Sequence, residues 1–344
     1  MERDQEELQN FGFFATFKES FKIIFSWKKI FTQITLSLIL PLSFVFLIQM
    51  QVSDFLFWKL RRDENMLHRS QSSSHEWGSY TYEHWSEIVT SDKISLALFK
   101  IAYYIVTLIL SLLATSAVVY MIASIYTDKP VAFKKVMGVV PKVWKRLIVT
   151  FIWSFAIVIV LNLLASALFY LWVVNLGFRG VFGVVVFIIL LIAYVVATIY
   201  IGIVWRVACV ISVLEEYYGI KALFKSKDLI KGKIGMSAGL IFLVTVFYVG
   251  IMLVYQIFVV YALRYALSYG APGYMLVIGL PCWLLLTFVM LVDFVLQTVI
   301  YFVCKSYHNE SIDKPALADH LEAYNAQYEA MKSEKDVQME QVMV

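Results

Sequence analysis

Charged residues are scarce in this sequence. Only 16% of its 344 residues are Asp, Glu, Lys or Arg, whereas 61% are hydrophobic. The mean hydropathy of +0.76 exceeds what the core of a soluble domain of this size requires, so a soluble domain is excluded. The alternating segments of about ten residues that mark a transmembrane β-barrel are also missing. The sequence therefore predicts an all-α fold, a polytopic bundle of membrane helices.

Cysteines and catalytic motifs are equally sparse. The three cysteines, Cys209, Cys282 and Cys304, lie in or at the ends of apolar segments, so we expect no disulfide in a polar loop. His-Glu-x-x-His, Gly-Lys-Ser/Thr and Cys-x-x-Cys are absent, and the one Gly-x-Ser-x-Gly match, Gly235 to Gly239, lies at the start of an apolar segment rather than on a strand-to-helix turn. We therefore expect no catalytic residues, no bound metal and no cofactor, and a protein that is not an enzyme.

Six apolar segments are long enough to cross a bilayer. About 20 helical residues, at about 1.5 Å rise each, span a hydrocarbon core of about 30 Å. The fourth segment exceeds a perpendicular crossing, so we expect it to tilt or to project from the membrane. The segments are about Ile30 to Met50, Leu96 to Tyr126, Ile148 to Val174, Val181 to Leu214, Met236 to Leu263 and Met275 to Cys304.

The Lys and Arg residues predict the orientation of these spans. Cytoplasmic loops carry an excess of them, and the second and fourth loops are lysine-rich, whereas the third and fifth contain only Arg179 and Arg264. Both termini are therefore predicted to be cytoplasmic. No cleavable signal peptide precedes the first span, which we expect to act as the insertion signal. The compartment is left open between an endomembrane of the secretory pathway, including the endoplasmic reticulum, and the plasma membrane.

The first loop, about Gln51 to Lys93, is the only long polar loop of the predicted topology. Arg61 and Arg62 weaken its assignment to the outer side, where it is expected to form a small cap. Three histidines accompany Glu87 in this loop, but their spacing matches no tight set of metal ligands, which favours a solvated loop over a metal site. They are His68, His75 and His84.

Three basic amphipathic stretches each lead into an apolar segment: Phe17 to Phe31, Phe133 to Leu147 and Phe224 to Gly235. We interpret them as interfacial helices, each followed by a helical hairpin in a threefold repeat. Their basic side chains are candidates for binding anionic lipid headgroups, although topology alone would also place such residues there. The candidates are Lys18, Lys22, Lys28, Lys29, Lys134, Lys135, Lys145, Arg146, Lys225 and Lys231.

Four polar side chains lie at membrane depth, where an ionised group costs at least about 2.5 kcal/mol unless it is paired or hydrated. Arg206 and Asp293 both fall in the cytoplasmic half, so a pair is sterically possible, and Gln256 and Gln297 add polar groups. These residues would either line a solute or proton path or form an interhelical clamp. The clamp is the simpler interpretation, because the helix interruptions typical of transporters do not occur in corresponding positions.

Short sequence patterns carry two resemblances to known families. Leu214-Glu-Glu-Tyr-Tyr-Gly-Ile-Lys-Ala-Leu-Phe-Lys-Ser-Lys-Asp-Leu-Ile-Lys-Gly-Lys resembles a loop of the membrane domain attached to some bacterial glycerophosphodiesterases, whose catalytic domain is absent here. Phe17-Lys-Glu-Ser-Phe-Lys-Ile-Ile-Phe-Ser-Trp, Leu40-Pro-Leu-Ser-Phe and Cys304-Lys-Ser-Tyr-His are similar to a plant family of uncharacterised six-span integral membrane proteins. This second resemblance implies an integral membrane protein without known enzymatic residues.

The predicted organisation has three parts: an N-terminal segment with an interfacial helix (1–29), the six-helix transmembrane domain (30–304) and a cytoplasmic tail (305–344). The tail is a possible docking site for a cytosolic protein, and we expect no nucleic-acid partner. Our leading hypothesis is a non-enzymatic membrane protein that organises lipid or recruits partners through its basic face. A transporter or channel with a path at Asp293 and Arg206 is the alternative, and a membrane-embedded lipid enzyme is a third.

Overall fold

Helices account for almost all the residues that the computed structural model describes, namely 9–71, 76–127, 133–175, 177, 180–261 and 272–308. No described residue belongs to a strand, so the fold is all-α. Two π-helical segments, Thr35–Ile39 and Gln256–Tyr261, join α2 to α3 and extend α8. The helices are α1 (Phe13–Ser26), α2 (Lys28–Ile34), α3 (Leu40–Gln71), α4 (Glu76–Tyr126), α5 (Phe133–Asn175), α6 (Gly180–Leu214), α7 (Ile220–Leu229), α8 (Ile234–Tyr255) and α9 (Pro272–Tyr307).

Within the described ranges, six helical segments are long and apolar enough to cross a membrane, which confirms the predicted number. α6 is rich in Val and Ile, which have low helix propensity in water. In a bilayer the backbone must satisfy its own hydrogen bonds, so such a sequence still forms a helix. The six segments are Lys28–Ser70, Tyr82–Tyr126, Val143–Asn175, Gly180–Leu214, Ile234–Val260 and Val277–Tyr307.

The first loop, predicted over about Gln51 to Lys93, is mostly helical instead. α3 continues to Gln71 and α4 already begins at Glu76, so the prediction of a long polar loop is wrong. No glycine or proline occurs among residues 42–77, and nothing therefore stops the helix where its apolar part ends. The two helices are tied by an ion pair with 2.6 Å between Lys59 Nζ and a carboxylate oxygen of Asp92.

The two described histidines of this region lie on helices rather than in a loop. His68 belongs to the last turn of α3 and His84 to α4, whereas His75 lies outside the described residues. The described part of the chain contains no group of three or more His, Cys, Asp or Glu side chains that could hold a metal ion. The interpretation of these histidines as solvated side chains stays a prediction.

The second basic stretch also differs from its expected form. Phe133 to Leu147 is the first part of α5 and continues into the membrane-length part without a break. No glycine or proline follows Pro141 before Asn175, so the helix has no stop signal at the edge of the span. The first and third stretches do form separate helices, α1 and α7. The threefold repeat is therefore not uniform in its local structure.

The chain divides into two compact units, which we describe separately. The second unit comprises Thr35–Ser111 and Phe247–Met290. Within it, the buried hydroxyls of Ser43 and Thr287 lie 2.7 Å apart and join α3 to α9. The ring of Phe46 makes edge-to-face contacts with tyrosines of α4 and α8. Single hydroxyl pairs and ring contacts thus hold helices together where lipid offers no hydrophobic driving force.

The first unit comprises Met1–Ile34, Leu112–Val246 and Leu291–Val344. In it α5, α6 and α7 meet around buried hydroxyl groups. Thr150 and Ser212 lie 2.7 Å apart between their oxygens, and the backbone N–H of Gly219 donates to the same Thr150 oxygen over 2.8 Å. Ser226 of α7 donates to the carbonyl oxygen of Val204 in α6, over 2.7 Å. These bonds set α7 against the end of α6.

Glycines with positive φ before and after α7 form the turns by which the chain enters and leaves this helix. Gly219 has φ of +63°, and a Cβ there would lie 3.1 Å from Val149 Cγ1 and 3.4 Å from Trp153 Cδ1. Gly232 has φ of +91°, and a Cβ would lie 2.4 Å from Tyr307 Cε1. Only glycine adopts these conformations without strain, and both positions are also too crowded for a side chain.

We expect Gly219→Ala and Gly232→Ala each to lower the free energy of unfolding by about 1–2 kcal/mol, the strain of a left-handed alanine, with the larger loss at Gly232. The measurement is the thermal unfolding midpoint of the purified protein in detergent micelles. Gly235→Ala is the matched control, because nothing lies within 4 Å of its Cβ position. Unchanged midpoints for both test variants would contradict this account of the α7 turns.

Candidate functional site

The segment from Leu214 to Lys233, which carries one of the two resemblances, builds a compact site in the first unit. It contains the end of α6, the Gly219 turn and all of α7. α7 is amphipathic, with Ala222, Leu223, Ser226 and Leu229 buried against the protein. We call residues Leu214–Lys233 the α7 segment.

Glu215 is the centre of this site, because three side chains from two helices converge on it. One of its carboxylate oxygens accepts hydrogen bonds from Tyr301 at 2.7 Å and from Lys305 at 2.9 Å. The other lies 2.7 Å from Lys225 Nζ. The Glu215 side chain is only 11% exposed. This Glu215 cluster joins the end of α6 to α7 and α9.

Burial alone would raise the pKa of Glu215, since desolvation disfavours a charged carboxylate. Hydrogen bonds from Lys225, Lys305 and Tyr301 outweigh that effect and hold its pKa below the usual range. Glu215 is therefore ionised at neutral pH. Two cations around one carboxylate leave the cluster with a formal charge of +1, which suits a site beside anionic headgroups.

Arg206 and Asp293 form a direct ion pair, as their similar predicted depth in the spans allows. It lies between α6 and α9, and both side chains are about a quarter exposed. Arg206 precedes Glu215 by nine residues, and Asp293 precedes Tyr301 by eight. Two ties with this matched spacing, roughly 13 Å apart along each helix, show that α6 and α9 run in the same direction.

The other two polar candidates do not share this pair's contacts. Gln297 lies one turn beyond Asp293 on α9, where it is 5% exposed and its amide nitrogen donates to no described residue. Gln256 begins the π-helical segment at the end of α8 and belongs to the second unit. The four residues therefore do not form one network within the first unit.

α1 packs through one face and leaves Phe14 and Phe25 outside. Its buried residues are Thr16, Glu19, Ser20, Ile23 and Ile24, whereas Phe14 is 83% and Phe25 64% exposed. The half-buried rings of Phe17 and Phe21 contact each other, and Phe21 stacks on Phe25. Large aromatic side chains that the protein leaves exposed are typical of a helix lying in a membrane interface.

The basic candidates fall into two groups. Lys18, Lys22, Lys28, Lys29 and Lys145 are exposed and form no ion pair with any residue that the structure describes. The remaining side chains have partners or lie outside the description. Lys225 contacts Glu215, Lys231 contacts Asp228 at 2.7 Å, and Arg146 is half-buried. The side chains of Lys134 and Lys135 lie outside the described part.

Two grooves flank α7, and the exposed ring of Phe224 separates them. The apolar groove has a volume of about 200 Å³ and lies between α5, α6 and α7, with Lys227 in its lining. The second groove is wider, about 480 Å³, and is lined by polar and aromatic side chains that include Tyr217, Lys221 and His308. α7 thus presents one lysine beside the apolar groove, and Lys221 and Lys225 beside the second.

Sequence reasoning did not identify the Glu215 cluster. The sequence predicted no contact of Glu215 with Lys305 or Tyr301. The available signal was a carboxylate that directly follows an apolar span and has several lysines nearby in the sequence. Such a carboxylate needs a cationic partner when it is buried. Two of its partners, Tyr301 and Lys305, are 86 and 90 residues away from it along the chain, which no local pattern reveals.

The chain matches one protein-family model over almost its whole length. The family model described as Domain of unknown function (DUF8558) matches residues 1–342, so the chain belongs to this family. Neither the search of curated proteins nor the search of solved structures found a match. The class of protein is thus an integral membrane protein with transmembrane helices.

The Arg206–Asp293 pair should behave as a clamp in a mutant cycle. We expect Arg206→Leu and Asp293→Leu each to lower the free energy of unfolding by about 2 kcal/mol, because each leaves a charge without its partner. The double variant should recover most of this loss, since an apolar pair replaces an ion pair at little cost. Unfolding in detergent measures all four proteins, and unchanged single variants would contradict the clamp.

Glu215 should make stability depend on pH. Because its pKa is lowered in the folded state, its contribution is complete above the ordinary glutamate pKa of about 4.3 and is lost as pH falls through the folded-state value. Wild type should therefore exceed Glu215→Gln most at pH 7, with the gap closing below about pH 4. Glu216→Gln, at an exposed neighbour, is the control. A gap that is constant from pH 7 to 3 would contradict the cluster.

Proposed function

We propose that the protein is a multi-pass, non-enzymatic membrane protein that binds anionic lipids at a basic cytoplasmic face. This face, the basic collar, consists of α1, the start of α5 and α7. The observation that carries the proposal is α1, where Phe14 and Phe25 face away from the protein while Lys18 and Lys22 stay exposed beside them. Apolar burial and charge attraction then act together on one lipid surface.

Contacts between distant parts of the first unit support termini on one side of the membrane. The ammonium of Lys233 donates to the carbonyl oxygen of Phe11 at 3.2 Å, which places the start of the chain beside the α7 segment. His308, after the last span, lies 2.9 Å from the carbonyl oxygen of Lys231. The parallel course of α6 and α9 fits a topology in which one span, α8, crosses the membrane between them. With the lysine distribution, this favours cytoplasmic termini.

A transport path is the second candidate function. It requires the ion pair at Arg206 to open, because a direct contact with Asp293 now neutralises both groups. Asp293→Asn distinguishes the two roles: a transporter would lose transport at an unchanged protein level, whereas a clamp would lose stability. The direct contact favours the clamp, and we therefore place lipid binding first.

The lipid proposal predicts that charge on α1 controls lipid selectivity. Lys18→Gln with Lys22→Gln should lower retention of phosphatidylserine by about fivefold per lysine, the effect of one positive charge near an anionic surface, and leave phosphatidylcholine retention unchanged. Full-length protein is equilibrated with both lipids in detergent micelles, and bound lipid is counted by native mass spectrometry.

The matched control keeps the charge at the same positions. Lys18→Arg with Lys22→Arg should retain phosphatidylserine as the unmodified protein does, because topology and charge are both conserved. Raising the salt concentration should weaken retention in the unmodified and Arg proteins alike. Equal phosphatidylserine retention in the Gln and Arg proteins would overturn the proposal and leave the lysines with a topological role.

A further inference from the structure

The apolar groove beside α7 has the form of a site for one lipid chain. Ile157 of α5 and Tyr200, Ile201 and Val204 of α6 line it, and these residues belong to helices that are long and apolar enough to cross a membrane. Phe224 closes the groove on the α7 side. Its volume of about 200 Å³ is below that of ordinary ligand pockets, about 300–1,000 Å³, so it fits part of a chain rather than a whole lipid.

A single cation lines this groove. Lys227 is exposed and forms no ion pair with any described residue. It lies one turn of α7 beyond Phe224 and next to Ser226, which bonds to α6. An apolar groove with one ammonium group in its lining complements an amphiphile with an acyl chain and a negative headgroup.

The fixed position of α7 makes this a preformed site. The Glu215 cluster, the Ser226 bond to α6 and the Gly219 turn hold the helix in place. The groove therefore needs no rearrangement to accept a chain, and little conformational entropy is lost on binding.

We propose that the apolar groove binds one acyl chain of an anionic phospholipid, with the phosphate against Lys227. This inference rests on the proposed function and narrows it from a basic surface to one specific site. Lys221, on the same helix but beside the second groove, takes no part in it.

Photo-crosslinking in the full-length protein tests the occupant. A photo-reactive phenylalanine analogue replaces Ile157, and the protein is reconstituted in liposomes of equal phosphatidylserine and phosphatidylcholine. Illumination should capture phosphatidylserine in preference, and Lys227→Gln should reduce that preference by about fivefold, as expected for one lost charge. Lys221→Gln should leave it unchanged.

The same analogue at Val160 is the control, because this residue lies one turn further along α5, is 64% exposed and does not line the groove. It should capture both lipids in the proportion present in the liposomes. Capture at position 157 without preference, or an equal effect of Lys227→Gln and Lys221→Gln, would overturn the groove site. So would an adduct with a peptide from residues 309–344, which would identify the chain's own tail as the occupant.

The outcomes separate this inference from the proposal beneath it. If position 157 shows no preference while the Lys18 and Lys22 Gln protein still loses phosphatidylserine, the basic collar stands and the groove site fails. If position 157 shows no preference and the Lys18 and Lys22 Gln protein retains phosphatidylserine as the unmodified protein does, both proposals fail. Lys227 is exposed, so its substitution leaves the fold intact and the test does not depend on the effect of a changed core residue.

Discussion

The buried carboxylate of Glu215 is the constraint on which the packing of α6, α7 and α9 in the first unit depends. A carboxylate that is almost removed from water is stable only with charged hydrogen-bond donors, and here Lys225 and Lys305 supply them together with Tyr301. Each donor comes from α7 or α9, so satisfying the charge also fixes those helices against α6. Nine residues earlier, the Arg206–Asp293 pair repeats the tie between α6 and α9 at membrane depth.

The same constraint divides the lysines of α7 by role. Lys225 points to Glu215 and stabilises the helix, whereas Lys221 and Lys227 stay exposed on either side of Phe224. The two glycines give the chain its turns into and out of α7, so that α7 is a helix separate from α6 and α8. One short segment thus supplies a structural charge inside the protein and exposed charges at its surface. α1 shows a comparable division between a packed face and a face that carries exposed phenylalanines.

Much of the fold was predictable, because long apolar runs can only be helices in a bilayer. The six spans and the depth of Arg206 and Asp293 follow from that rule. The helical ends beyond the spans could not be predicted in this way, because hydropathy locates the membrane and not the helix termini. The sequence therefore predicted a loop where α3 and α4 continue as helices. The Glu215 cluster was missed because burial and partners from distant helices decide its importance. The apolar groove was missed for the same reason: its lining comes from three helices that no local pattern brings together.

The most direct test of the account measures membrane depth at α7. Single cysteines carrying a nitroxide label replace Phe224 or Glu216, which are both exposed, and the native Cys209, Cys282 and Cys304 are buried. In liposomes, the label at 224 should be more accessible to oxygen, which concentrates in lipid, and the label at 216, outside the helix, to a water-soluble nickel chelate. Equal accessibility of both labels to the chelate would show that α7 lies in water and would contradict an interfacial lipid-binding helix.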